Sequence, residues 1–438
     1  MSHPLKVCSQ MLDELKDYFI EDPNPFAIDL SKSHGMWLAT VDGVEIFDWC
    51  AIYASKLIGF NHPRMREPHY IEKLITAANN KLSNPYYLTE DSLTFYRLIH
   101  KLKPKCMRGE KVKVMTTNSG AEAVENMMKY LITLHRNRLL QENKTINCRR
   151  FVYFDKAFHG RTGFAINVTQ VPHDPIITRD YGGIIANNII VPFPDVDNDQ
   201  SREENLKQVQ RALEHIEFIF KVHGDEIVGI ILEPIQGSGG QRVALPEFFV
   251  SLSELCHKYN VYMGIDEVQT AGGQTGEIFC IDLFNLPHSP QAVATAKKFA
   301  NGVVYMNEQL KESGALDSTW CGSYVDMIRF MQEWKIVEDE KLIENVAQKS
   351  AYFEEKLLKL KKCFPQIISN VRGVGLYQGF SLANAKMKSR VFELSLNNEN
   401  LFLFPAGERS IRFRPVLDVT IGDIDQLVEK LERVLRSL

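Results

Sequence analysis

The sequence contains no CxxC pair: its eight cysteines stand far apart, at 8, 50, 106, 148, 256, 280, 321 and 363. In a chain of this size that spacing reads as buried, reduced thiols in a reducing compartment, not as a disulfide framework. The 12 histidines show no HExxH or comparable ligand spacing, so no metal site is expected. No apolar run approaches the roughly 18 residues a membrane-spanning helix needs, and no membrane partner is expected. The N-terminal stretch MSHPLKVCSQMLDELKDYF has early acidic residues and no continuous apolar core. It is not read as a signal peptide, and a cytoplasmic location is expected. A net charge of -4 gives no electrostatic case for binding nucleic acid. Internal repeats and low-complexity tracts are missing too. What remains is 438 residues, 45% hydrophobic and 24% charged. That is an ordinary globular composition, in a chain long enough for two or three domains.

The middle of the chain alternates short β-rich runs with helical patterns. KVKVMTT (111–117) reads as a strand, and the segment after it places Ala121, Val124, Met128, Leu131 and Leu134 at helical spacing. RRFVYFD (149–155), EIVGIILEP (226–234) and VYMGIDEV (261–268) read as further strands. A helix over LPEFFVSLSELCHKYN separates the last two. This order predicts an α/β fold with a mostly parallel sheet and a ligand site beyond the carboxyl ends of the strands. After Trp320 the pattern changes. A long helical region over about 322–362 leads to three β-rich runs and a terminal amphipathic helix, which together predict a smaller α+β domain. WLATVDGVEIFDW is a hairpin candidate turning at Asp42-Gly43. The expected division is a segment 1–60 packing with the small domain, a large domain 61–325, and the small domain 326–438.

Four local patterns carry possible chemistry, each beside a plainer reading. In TTNSGAEAVEN (116–126), Ser119 and Glu122 form a capping-box pattern, and Gly120 lets backbone approach a ligand. Such a helix start is either an anion site or only a cap. In FDKAFHGRTG (154–163), Phe158 suits the face of a planar ring and Arg161 suits a carboxylate. A core Phe and a surface Arg are the alternative. In GIDEVQT (264–270), Asp266 ends an apolar strand, where an ionised carboxylate needs a cation or donor, or else caps the next turn. Lys297 and Lys298 follow a small apolar run, where a partly buried amine loses proton affinity and can form a Schiff base. Solvated surface lysines are the default for any such pair. An anion site, a ring cover, a strand-end acid and an imine lysine, in this order, are what pyridoxal 5'-phosphate requires.

The chain resembles the class III (ω-) aminotransferases of the pyridoxal-phosphate fold type I over nearly its whole length. The family-wide likeness lies in NSGAEAVEN, AFHGRTG, EPIQGSGG, IDEVQT and AKKFANG. IDLSKSHGMWL, TWCGSYVDMIR and FPAGERSIRFRPVLDVT are closest to its lysine-type members. The resemblance implies that Lys297 carries the imine and that Lys298 has no such role. It implies that Ser119, Gly120 and Ala121 bind the phosphate, Phe158 stacks on the ring, Asp266 pairs with the ring nitrogen, and Gln269 lies near the phenolic oxygen. Thr319 would reach the cofactor of a neighbouring subunit, so a homodimer with shared active sites is expected. Arg161 would bind the distal carboxylate of substrate and Arg412 the α-carboxylate of the keto acid. The implied reaction moves the ε-amine of L-lysine to 2-oxoglutarate, giving glutamate and 2-aminoadipate 6-semialdehyde.

Two positions depart from the pattern. Ser238 stands where the family usually has a glutamate facing the keto-acid arginine, so Arg412 is expected to stand unmasked. That would favour substrates with a carboxylate close to the reacting carbon. Asp317 stands where lysine-type members carry Asn, and an acid there would pair with Arg412 or a substrate ammonium. The remaining readings are another ω-amine donor (4-aminobutyrate or ornithine), a biosynthetic side branch, and a non-catalytic cofactor-binding protein.

Overall fold

The computed structural model describes residues 6–20, 23–82, 84, 86–145, 148–178, 187–308, 310 and 314–438. Its centre is a seven-stranded sheet in the order Lys113–Thr117, Gly302–Met306, Ala292–Thr295, Tyr262–Asp266, Ile227–Leu232, Arg150–Phe154, Ile189–Val191. All strands run parallel except Gly302–Met306, which is antiparallel to both neighbours. Ile227–Leu232 is buried along its whole length, as the unbroken apolar run requires of a strand covered on both faces. The helices predicted after Thr117 and after Leu245 form as Gly120–Gln141 and Pro246–Lys258.

Three strands of this sheet escaped the sequence reading. QAVATA (291–296) contains Ala292–Thr295, whose alanines look like helix formers until burial on both faces overrides propensity. Gly302–Met306 and Ile189–Val191 are the others. The long helical region also divides. Tyr324–Asp339 and Val346–Cys363 are separate helices, and Lys341 between them takes a left-handed φ of 51°. The expected boundary at 325/326 falls inside the first of these. That helix packs through Ile328 with Tyr70 and Ala77, and through Phe330 on Phe95.

The C-terminal part has an antiparallel sheet, Ile368–Val374, Tyr377–Leu382, Ser410–Arg412 and Phe404–Ala406. The last helix, Ile421–Arg436, buries Ile424, Leu427, Leu431, Val434 and Leu435, while Val428 stays half-exposed. The N-terminal hairpin forms with Trp37 opposite Phe47, and its turn is closed by Gly43 N donating to Thr40 O at 2.9 Å. Its second strand, Glu45–Asp48, pairs in parallel with Leu401–Phe402, so the chain's start is built into its end. Among the described residues no helix is long and apolar enough to cross a membrane, and no His, Cys, Asp and Glu cluster could hold a metal ion.

Candidate active site

A cavity of about 490 Å³ opens at the carboxyl ends of the parallel strands. Ser119, Gly120, Ala121, Phe158, Arg161, Ser238, Asp266, Gln269 and Lys297 all line it. Nine positions chosen from separate motifs thus meet in one place.

Ser119 follows strand Lys113–Thr117 and caps helix Gly120–Gln141, its hydroxyl accepting from Glu122 N at 3.2 Å. The reciprocal arm of the expected capping box goes elsewhere, because Glu122 Oε2 accepts from Asn118 N and Nδ2. The amides of the first turn, which no preceding helical carbonyl can reach, lie at the cavity wall, where they could take an anion. Glycine is needed around this turn for room. A Cβ on Gly120 would lie 2.5 Å from Val268 Cγ1, and one on Gly302 only 2.0 Å from Thr117 Oγ1.

Asp266 ends strand Tyr262–Asp266 and is 4% exposed. Its Oδ2 takes His159 Nδ1 at 2.7 Å, and its Oδ1 accepts from Val268 N at 2.9 Å. Glu267 turns to the opposite face, as strand alternation demands, and accepts from Thr270 and from Ile281 N. His159 is 2% exposed, and its Nε2 has no partner among the described residues. Burial opposes its protonation, but Asp266 and then Glu233 outweigh this and raise its pKa. Glu233 ends the neighbouring strand and accepts from Phe158 N at 2.9 Å; burial pushes it up to about 7.

Lys297 begins the turn after strand Ala292–Thr295, with a left-handed φ of 51°. Its Nζ donates to Tyr53 O at 3.1 Å. That carbonyl belongs to a run of four left-handed residues, Ala51 to Ala54, with φ between 46° and 63°. Asp48 Oδ1 holds the start of the run by accepting from Cys50 N at 2.8 Å and Ala51 N at 3.1 Å. Burial, then Arg412, brings the Lys297 amine down to about 8, against the pull of Asp266 and Glu233.

Arg412 is 5% exposed, with Cζ 3.7 Å from the centre of the Phe404 ring. It makes no ion pair among the described residues. Its Nη1 donates to Gln269 Oε1 at 3.2 Å, and its Nε has no partner there. Burial and Arg414 hold it down to about 9. Arg414 Nε reaches the same Gln269 oxygen at 3.1 Å, which leaves the Gln269 Nε2 donors free for a ligand. A Cβ on Gly237 would come within 2.0 Å of that oxygen, so backbone must pass here bare. Ser238 beside it offers no charge to the guanidinium.

Two expected residues lie apart. Asp317 is exposed and accepts from Tyr86 Oη at 3.1 Å, so the expected pairing with Arg412 does not occur within the chain. Arg412 is buried behind the cavity wall and Asp317 sits on an outer loop. Thr319 is likewise exposed, its carbonyl accepting from Asn84 Nδ2 at 3.2 Å. Sequence reasoning missed four groups. His159 adjoins Phe158, and Glu233 ends an apolar strand as Asp266 does. Arg414 lies two residues past Arg412, hence on the same side of extended backbone. Lys298, read as a neighbour without a role, is buried.

The sequence pattern of the aminotransferase class-III family matches residues 18–435. L-lysine-epsilon aminotransferase of Amycolatopsis lactamdurans is 28% identical over 433 residues, covering 97% of this chain and 95% of that one. 4-Aminobutyrate aminotransferase of Kluyveromyces lactis is also 28% identical, over 446 residues, covering 97% and 93%. Lysine aminotransferase from M. tuberculosis in the internal aldimine form superposes with a TM-score of 0.91 at 25% identity, covering 98% of this chain and 99% of that one. With the family pattern spanning nearly the whole chain and the strand-end cavity assembled from its motifs, the protein belongs to the class-III aminotransferases.

Proposed function

We propose that the cavity holds pyridoxal 5'-phosphate and that the enzyme transfers a terminal amino group to 2-oxoglutarate. The ε-amine of L-lysine is the leading donor, giving glutamate and 2-aminoadipate 6-semialdehyde. The observation that carries this reading is the convergence of Lys297, Asp266 and the Ser119 helix start on one cavity. The residues fit the group: the glycine-lined turn leaves room for a phosphate, and a buried acid backed by an imidazole awaits a protonated ring nitrogen. When bound, the cofactor supplies an aldehyde for the amine and a sink for the electrons left on the deprotonated carbon.

The chain does the rest. The first-turn amides and Ser119 hold the phosphate. Phe158 would cover one face of the ring, and Gln269 would offer its amide donors to the phenolic oxygen. Asp266 would keep the proton on the ring nitrogen, and His159, bonded to Asp266 Oδ2 and raised in proton affinity by Asp266 and Glu233, fixes the orientation of that carboxylate. Lys297, its amine brought down to about 8, would take the proton from the reacting carbon of the substrate on its Nζ. Arg161, at the exposed rim, takes the distal carboxylate, so that a lysine presents its ε-amine inward. Arg412 takes the α-carboxylate of the keto acid. Thr319 and Asp317, exposed on their own chain, serve the site of a second copy in a homodimer. The exposed side chains of Tyr86, Tyr87 and Leu88 support such an interface.

A second reading has its own observation. With Ser238 at the wall, Arg412 has no acid partner among the described residues, which favours donors whose carboxylate lies nearer the reacting carbon, such as 4-aminobutyrate or ornithine. The test is a panel of amine donors with 2-oxoglutarate on the active protein, while the cofactor in a separate portion is trapped with borohydride and mapped. A label at Lys297 and fastest turnover with lysine support the first reading. A label elsewhere, or none, removes both.

A further inference from the structure

Lys298 is 1% exposed, and among the described residues both its hydrogen bonds go to neutral oxygens: the Gln269 carbonyl at 2.5 Å and the Tyr377 hydroxyl at 2.6 Å. An unpaired buried ammonium is costly. Burial, with Lys297 and Arg414 nearby, holds this amine well below its ordinary pKa. Its stem is boxed in, since a Cβ on Gly272 would lie 2.6 Å from Lys298 Cε.

The two acceptors belong to different parts of the molecule. Gln269 follows strand Tyr262–Asp266 of the large sheet, while Tyr377 opens strand Tyr377–Leu382 of the C-terminal sheet, which pairs with the strand carrying Arg412. The circuit then closes. The Tyr377 ring stacks on the Arg414 guanidinium at 4.3 Å, and Arg414 and Arg412 converge on the Gln269 side chain. Gln269 is therefore held at its main chain by Lys298 and at its side chain by both arginines. We propose that Lys298 is a positioning residue that ties Gln269 to Tyr377 across the two parts and so fixes the aim of Arg412 at a substrate carboxylate. This rests on the reading of Arg412 as the carboxylate-binding residue.

Lys298→Met keeps the length of the stem and removes its donors, and Tyr377→Phe removes one of the two bonds. Glutarate, a dicarboxylate that cannot react, is titrated calorimetrically into cofactor-free protein. Lys298→Met is expected to weaken it about tenfold and Tyr377→Phe less, as losing bonds that orient a charged group should. In the loaded enzyme the two half-reactions should separate. The apparent affinity for 2-oxoglutarate falls by a similar factor, while the half-reaction with L-lysine stays within about twofold. Unchanged glutarate binding in both variants, no binding to the parent protein, or equal slowing of both half-reactions overturns the proposal. If Lys298→Met does not fold, Tyr377→Phe decides alone by the same split. The proposed function fails separately, on absence of any amino transfer.

Discussion

At the scale of single residues, the site pairs Asp266 with His159 and leaves Lys297 and Arg412 bonded to neutral oxygens among the described residues. Lys297 is pushed down by burial and by Arg412, so that its amine loses its proton near pH 8. Only the neutral amine attacks an aldehyde. The rate at which cofactor-free protein captures pyridoxal 5'-phosphate should therefore climb about tenfold per pH unit below this point and level off above it. Stopped-flow absorbance measures this, and a flat profile would contradict the environment described for Lys297. Ser238→Glu supplies the acid that Arg412 lacks. The ratio of lysine to glutamate turnover should then rise by roughly tenfold, the worth of one charged pair at a partly buried site. A constant ratio would show that the bare guanidinium does not set donor preference. Lys297, Asp266 and Phe158 were legible as candidates because each breaks an expectation of its local sequence: an amine after small apolar residues, an acid ending an apolar strand, an aromatic in a glycine loop. His159 and Lys298 were not, because their partners lie 107 and 79 residues away, and no local pattern encodes such a contact.

At the scale of elements, the cavity depends on how strands end. Gly302 opens the one antiparallel strand of the large sheet, where it lies against Thr117 and the Ser119 carbonyl, at the foot of the helix start. Gly302→Ala must move that start, since a Cβ would sit 2.5 Å from Ser119 O. Cofactor affinity should drop by about tenfold or more while the unloaded protein still folds, a result read by titrating absorbance against cofactor. Four strands were readable from β-branched runs. Ala292–Thr295 was not, since alanine-rich sequence signals helix and only burial between neighbouring strands reverses it. The same limit hid the turn at 340–345, where helical spacing continues across a change of direction.

At the scale of the molecule, Thr319 and Asp317 are exposed on their own chain, and the proposed homodimer would bring them to the site of a second copy. If Thr319 serves the partner's site, mixing Lys297→Ala with Thr319→Ala protomers restores one intact site per hybrid dimer, about a quarter of parental activity in a statistical mixture. Recovery no greater than that of Thr319→Ala alone would place Thr319 in its own site. The mostly parallel sheet with a second α+β part was readable from the order of elements. The pairing of Glu45–Asp48 with Leu401–Phe402 joins sequence ends that no local pattern relates. One further consequence follows from the mirror-handed backbone at Lys297. The usual knockout, Lys297→Ala, retains a conformation that a methyl side chain resists, whereas Lys297→Gly escapes it. The two dead enzymes should be equally inert yet melt apart, with glycine the sturdier by up to about 1 kcal/mol, so whichever is chosen as the blank biases any comparison of heat tolerance with the living enzyme.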